Sequence, residues 1–186
     1  KDTLLNMLVA MFVICVVSGG VLGVVYNATK EPIAAAETAK KTEAIKNVLP
    51  EFENLKETSC KSALEDVDIP FFLAYDANNN FIGAAVETFT NKGFSGNISL
   101  MVGILADGTV NNISVLQHAE TPGLGSKMSE PSFKDQFNNK NANSFNFNVK
   151  KDGGDVDAIT AATISSRAFC DAVNRAISTF ENNKGG

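Results

Sequence analysis

Hydrophobic and polar positions change their spacing several times along the chain, and each change marks an element. Thr3 to Tyr26, TLLNMLVAMFVICVVSGGVLGVVY, carries no charge over 24 residues. A helix crossing a bilayer core needs about 20 apolar residues. A secretory signal has a shorter apolar region, about 7–15 residues, closed by a small-residue cleavage site. Here the apolar residues continue past Ser18-Gly19-Gly20, so the pattern predicts a retained anchor. Asn27 to Lys30 then forms a short polar exit. Pro32 suits a first helical turn, and EPIAAAETAKKTEAIKNVL is rich in helix formers. A second helix is therefore expected from Pro32, ended by Pro50, with Ile33, Ile45, Val48 and Leu49 packed on the domain that follows. Phe52 to Val67 is mixed and reads as a short helix with a loop.

From Ile69 the spacing shortens to that of strands. IPFFLAYD, NNN and FIGAAVETF read as a hairpin with a polar turn. NISLMVGIL and TVNNISVLQ flank Ala106-Asp107-Gly108, and Asp-Gly between two such runs is a strong hairpin signal. Gly93-Phe94-Ser95-Gly96 joins the pairs, so a four-stranded antiparallel meander is expected. A proline-glycine loop and a short helix near Glu130–Phe137 follow. Phe145 to Val149 alternates and reads as a further strand, and Gly153-Gly154 as a turn. From Ile164 onward, Ala168, Ala172, Ala176 and Phe180 fall four apart, with Phe169, Val173 and Ile177 beside them, an apolar stripe at helical period. The fold class is α+β: one N-terminal transmembrane helix, then a domain with an antiparallel sheet and flanking helices. The expected divisions are residues 1–29 as anchor, 30–50 as connecting helix and 51–186 as the domain.

Composition narrows the chemistry. The 186 residues give room for one compact domain and an appendage. A net charge of −5, with Arg167 and Arg175 the sole arginines, leaves no basic footprint for nucleic acid. Cys15, Cys60 and Cys170 have no metal-ligand spacing; a Cys60–Cys170 disulfide and two buried thiols both remain open. His118 is the single histidine, which excludes a His-rich metal site. There is no Gly-rich dinucleotide fingerprint and no cysteine cluster for iron–sulfur. Lys1 ahead of the apolar run favours a cytoplasmic N-terminus, which places the domain outside the cytoplasmic membrane.

The densest chemistry is in DAITAATISS, Asp157 to Ser166. Small residues and hydroxyls crowd ahead of the helix. One reading is a helix start with spare caps. The other is a phosphate site, where free N–H donors and the helix dipole meet.

This stretch and HAETPGLGSK, His118 to Lys127, together resemble the FMN-binding domain family. That family includes the G subunit of the Rnf electron-transport complex and the C subunit of the sodium-pumping NADH:quinone oxidoreductase. It carries FMN on a D-x-x-(S/T)-(G/A)-A-T-x-(S/T) motif, matched here by Asp157, Thr160, Ala161, Ala162, Thr163 and Ser165. Gly93-Phe94-Ser95-Gly96 and the anchor match as well. The compact chain fits the Rnf protein better than its longer sodium-pump counterpart. The family often has glycine at Ala161; since glycine supplies positive φ, alanine implies a helical or extended backbone there.

The resemblance implies FMN esterified through its phosphate to Thr163. It implies a cofactor site of Thr160, Ala161, Ala162, Thr163, Ile164, Ser165 and Ser166 around the phosphate, with Glu120, Thr121, Gly123, Leu124, Gly125 and Lys127 near the flavin ring. Pro122 would help set the turn. Arg167 is either a phosphate partner or a solvated side chain, and Asp157 is better suited to shaping the loop than to meeting a phosphate. His118 is a possible flavin contact or a strand-end residue. No catalytic residue and no metal are implied. The function so implied is an electron-relay subunit of an ion-translocating ferredoxin:NAD oxidoreductase in a bacterial inner membrane. Its partners would be the other Rnf subunits, the lipid bilayer and an FAD-dependent flavin transferase. The alternatives are the sodium pump's C subunit, or a non-redox anchored binding or assembly domain in which Thr163 only caps a helix.

Overall fold

The computed structural model describes residues 3–61 and 67–183; Lys1 lies outside them. The chain divides into two compact units, Lys1–Lys40 and Lys41–Gly186. The first holds most of helix α1, Leu4–Val48, whose apolar part is solvent-exposed and is long and apolar enough to cross a membrane. The helix does not restart at Pro32. Proline removes one backbone donor in a helix interior, yet α1 continues through it. Ile33 is exposed and does not join the core; Ala44, Ile45, Val48 and Leu49 do.

The second unit is built on a six-stranded antiparallel meander in chain order. Its strands are β1 Asn54–Lys61, β2 Asp68–Tyr75, β3 Phe81–Gly93, β4 Gly96–Leu105, β5 Thr109–His118 and β6 Lys140–Asn141. β1 corrects the expected helix after Phe52, of which residues 62–66 lie outside the described residues. NLKETSCK is almost wholly exposed on both faces, as an edge strand paired on one side can be, so it lacks the alternation that announces a strand. Phe145 to Val149 is not a strand. Phe147 and Val149 are buried in the core, but among the described residues the segment joins no sheet: it forms one bridge, Val149 to Val156, with the Asp155 and Val156 N–H groups donating to the Asn146 and Asn148 carbonyls.

Each sheet face is covered by a helix. The last turns of α1 bury Ala44, Ile45, Val48 and Leu49 against Phe72, Ala74, Ala85, Met101 and Leu116. The Val48 carbonyl lies directly over Gly103, where a β-carbon would collide with it. Asn111 and Asn112 donate to the carbonyls of Val48 and Asn47 at 2.8 and 3.0 Å, meeting acceptors that a helix end leaves open.

On the other face lies α3, Thr163–Asn183. Ala168, Ala172, Ala176 and Phe180 are buried as their spacing predicts, whereas Ile164 at the head of the stripe is exposed. Thr88 and Thr90 of β3 sit under α3 and donate to the Ala172 carbonyl and the Asp171 carboxylate, so these buried hydroxyls are satisfied. The short helix α2, Pro131–Lys134, continues as a 3₁₀ turn, Asp135–Phe137. Phe133 and Phe137 pack on Phe169 with ring centroids 5.2 and 4.9 Å apart, tying the connection after β5 to α3. Cys60 and Cys170 are both free thiols.

Candidate flavin site

Three separate segments meet at the N-terminus of α3. The first is the tight β3–β4 turn, Gly93 to Gly96, with Gly96 at φ +106°. The second is the loop after β5. Pro122 and Gly123 occupy its turn, Gly123 has φ +75°, and the Leu124 N–H returns to the Thr121 carbonyl at 3.1 Å. Proline then glycine at those positions is the type II pattern.

The third segment is the turn Ile159–Ala162, closed by the Ala162 N–H on the Ile159 carbonyl at 3.0 Å. Ala161 is its third residue and has φ +61°. The alanine does not signal a helical or extended backbone: it occupies the left-handed position usually given to glycine. Ser166 explains how the strain is held. Its buried hydroxyl accepts from the Ile159 N–H at 2.9 Å and donates to the Ala162 carbonyl at 3.0 Å. The turn is therefore pinned from inside α3. Upstream, Asp157 is fixed by Gln136, which accepts its N–H at 2.8 Å, and its carboxylate pairs with Lys150 at 2.7 Å.

The segments are joined through Glu120, which is only 5% exposed. Its Oε1 accepts the Ser95 N–H at 2.9 Å, and its Oε2 accepts the Ser165 hydroxyl. Two glycines make room for the carboxylate. A β-carbon on Gly93 would lie 2.7 Å from Oε1, and one on Gly125 would lie 2.5 Å from Oε2 and from the Ser165 Oγ. The Glu120 N–H donates to Nδ1 of His118 at 3.2 Å, so that nitrogen acts as an acceptor.

Between the segments lies a cavity of about 320 Å³, lined by Phe94, Glu120, Thr121, Leu124, Gly125, Ala161, Ala162, Thr163, Ile164 and Ser165. This brings together nine of the residues picked out in the sequence. Gly123, Lys127, Thr160 and Ser166 lie outside the lining: Gly123 shapes its turn, Lys127 and Thr160 are exposed, and Ser166 is buried behind the wall. Phe94 is an addition; its signal in the sequence is an aromatic in a two-residue turn with no core to enter. Phe94, Leu124 and Ile164 are 68%, 42% and 49% exposed, and they give the mouth an apolar rim.

Thr163 opens α3 and is half-buried. The first backbone bond of the helix runs from the Ser166 N–H to the Ala162 carbonyl at 3.0 Å. The N–H groups of Thr163, Ile164 and Ser165 precede it and have no intrahelical acceptor. Beyond Ile164 a second cavity, of about 340 Å³, is lined by Lys92, Asp152, Arg167, Cys170 and Asp171 among others. Its cations are taken: Arg167 makes a two-pronged pair with Asp152, both bonds 2.7 Å, and Lys92 pairs with Asp171 at 2.6 Å. The Arg167 hydrogen bonds hold Asp152 below the usual carboxylate range. Arg167 therefore does not turn toward Thr163. Burial pushes the Cys170 thiol up to about 12, which makes it an unreactive floor.

The FMN-binding domain profile matches residues 93–178, from the β3–β4 turn through most of α3, and so takes in all three walls of the cavity. The G subunit of the ion-translocating oxidoreductase complex of Methanosarcina acetivorans is 34% identical over 176 residues, covering 92% of this chain and 92% of that protein. Its counterpart in Aliivibrio fischeri is 35% identical over 185 residues, covering 92% and 87%. The chain belongs to this G-subunit family. Of solved structures, the C subunit of the Na(+)-translocating NADH-quinone reductase from Parabacteroides distasonis superposes with a TM-score of 0.54 at 18% identity, covering 75% of this chain and 80% of that one. Shewanella oneidensis NqrC gives 0.50 at 19%, covering 76% and 70%. At such identities the likeness is one of fold.

Proposed function

We propose that this chain is a membrane-anchored electron-relay subunit of an Rnf-type ion-translocating oxidoreductase, carrying FMN esterified to Thr163. The observation that carries the reading is the single cavity in which the α3 N-terminus, the Glu120–Gly125 loop and the Phe94 turn converge on Thr163. FMN supplies the reversible electron acceptance, while the protein supplies binding and orientation.

The residues present fit that group. Thr163 offers the hydroxyl. The free N–H groups of the first turn would donate to the FMN phosphate, and the helix dipole would add about 0.3–1 kcal/mol per charge. Ala161 and Ala162 put no bulk in the wall beside Thr163. Phe94, Leu124 and Ile164 provide apolar surface for a planar ring, and Thr121 a hydroxyl at its edge. Attachment balances as a phosphoryl transfer: the Thr163 Oγ1 forms a bond to the phosphorus of the FMN half of FAD, the pyrophosphate bond breaks, AMP leaves, and the threonine proton is released. A separate FAD-dependent transferase would supply that activity.

The first segment of α1, from Leu4, is read as the membrane-spanning part of the expected anchor, with the domain on the extracytoplasmic side of a bacterial inner membrane and the rest of the complex as partners. A covalent link suits that side, where a dissociated cofactor would be lost. Membership of the G-subunit family favours the Rnf-type complex over the sodium pump.

The test is intact mass and peptide mapping of the chain expressed with a flavin transferase. A gain of one FMN less one water on the Thr163 peptide is expected, lost in Thr163→Ala and retained in part in Thr160→Ala. Full loading of the Thr163→Ala protein would refute the assignment. An unmodified wild-type chain beside an active transferase would return Thr163 to a helix start.

A further inference from the structure

We propose that Glu120 sets the reduction potential of the bound flavin, holding it low through an unpaired negative charge in the cavity wall. This rests on the reading that flavin occupies the cavity beside Thr163.

Glu120 is the one ionisable side chain among the residues lining that cavity. It is buried, and among the described residues it has no ion-pair partner. Of the cations nearest the site, Arg167 pairs with Asp152, Lys92 with Asp171 and Lys150 with Asp157, while Lys127 is exposed and outside the cavity lining. A buried carboxylate without a cation is costly to keep, so its charge calls for an explanation beyond packing.

The fold does not require that charge. The Ser95 N–H needs an acceptor at Oε1, which an amide oxygen would supply as well. The Ser165 hydroxyl needs a partner at Oε2; an amide N–H could donate to it instead, because a hydroxyl both donates and accepts. Glutamine can therefore keep both contacts, the one to Ser165 with its direction reversed. What only glutamate brings is a fixed negative charge, in a wall shielded from water and held by donors from two other segments. Adding electrons to a flavin adds negative charge or draws in a proton to offset it. A nearby anion in a low-dielectric setting opposes that addition, and so lowers the potential.

The experiment uses the full chain in detergent, loaded by coexpression with the transferase and checked by intact mass before titration. Midpoint potentials are then measured spectroelectrochemically for wild type, Glu120→Gln and Ser165→Ala. Only the fraction of Glu120→Gln that carries flavin by intact mass is titrated. Its flavin should be easier to reduce by at least tenfold in the equilibrium constant, about 30 mV for the two-electron couple. Ser165→Ala removes a hydrogen bond and keeps the charge, so its potential should move less than half as far, or in the opposite direction.

An unchanged potential in loaded Glu120→Gln would overturn the proposal. So would equal positive shifts in both variants, since they would mark a loss of shape rather than of charge. A Glu120→Gln chain that stayed empty while wild type loaded would also overturn it, assigning Glu120 to assembly. A wild-type chain with no flavin by mass would remove the underlying reading, and is recognised before any potential is read.

Discussion

Gly125→Ala should damage the cavity through a single methyl group. The residue has no left-handed φ, so alanine suits its backbone and the whole cost is steric. The added carbon would stand 2.5 Å from the Glu120 Oε2, 2.5 Å from the Ser165 Oγ and 2.9 Å from the Glu120 Cβ. The carboxylate end could swing, but the Cβ contact lies close to the backbone and yields little. Overpacking of a filled site costs about 1–3 kcal/mol. Displacing the carboxylate leaves a buried oxygen without its donor, about 1–3 kcal/mol more. The two overlap, since moving Glu120 relieves the clash, so about 2–4 kcal/mol is expected. For a domain of this size that is a fall of roughly 5–12 °C in melting temperature. Gly123→Ala is the control: nothing lies within 4 Å of its β-carbon position, and φ is +75°, so only left-handed strain applies, about 1–2 kcal/mol. Thermal melts of the full chain in detergent, followed by circular dichroism, compare the two. A Gly125→Ala protein that melts at or above Gly123→Ala would refute the view that Glu120 is wedged in a filled site.

Ala161→Gly should stabilise the domain. It removes left-handed strain of about 1–2 kcal/mol and returns part of that as unfolded-chain freedom, for a net gain of about 0.5–1 kcal/mol. A lower melting temperature would contradict the turn geometry. Asp171 gives an acid dependence: burial raises its pKa, but hydrogen bonds from Lys92 and Thr90 and the charges of Lys92 and Arg175 outweigh it, so the net shift is downward. A carboxylate lowered on folding adds stability above its unfolded value, about 3.9, and that stability is lost as pH falls through the folded value. Asp171→Asn should therefore weaken the domain at neutral pH and flatten the loss below about pH 4 in denaturant titrations; an unchanged acid limb would contradict it.

What the sequence disclosed depended on whether an element has two different faces. The strands β2 to β5 and the α3 stripe each have a buried side, and the strands' turns carry Asn78-Asn79-Asn80, the glycines Gly93 and Gly96, or Asp107-Gly108, so hydrophobic spacing and turn chemistry locate them. β1 has no buried face of its own, and its polar residues carry no period. Phe145, Phe147 and Val149 show the converse. Period two reports extended backbone with one side inward, which is true here, but it does not report a neighbouring strand to pair with. At the site, the resemblance picked out most of the cavity wall. It missed Phe94 as a lining residue, and the alanine at position 161 pointed the wrong way. Ala161 at positive φ is held by bonds from the Ser166 side chain to Ile159 and Ala162, and no residue preference of alanine foresees it.

The knot at Glu120 also bears on the order of maturation. It ties Ser95 to a residue 25 positions later, and that residue to Ser165 another 45 positions on. In a nascent or misfolded chain these segments are far apart, and Thr163 is a threonine in a polar stretch like any other. An enzyme that reads the shape around Thr163 would thereby act as an inspector of its substrate. Only chains that have closed the meander and seated α3 would receive a cofactor, so the presence of flavin would certify a finished domain before it enters a complex.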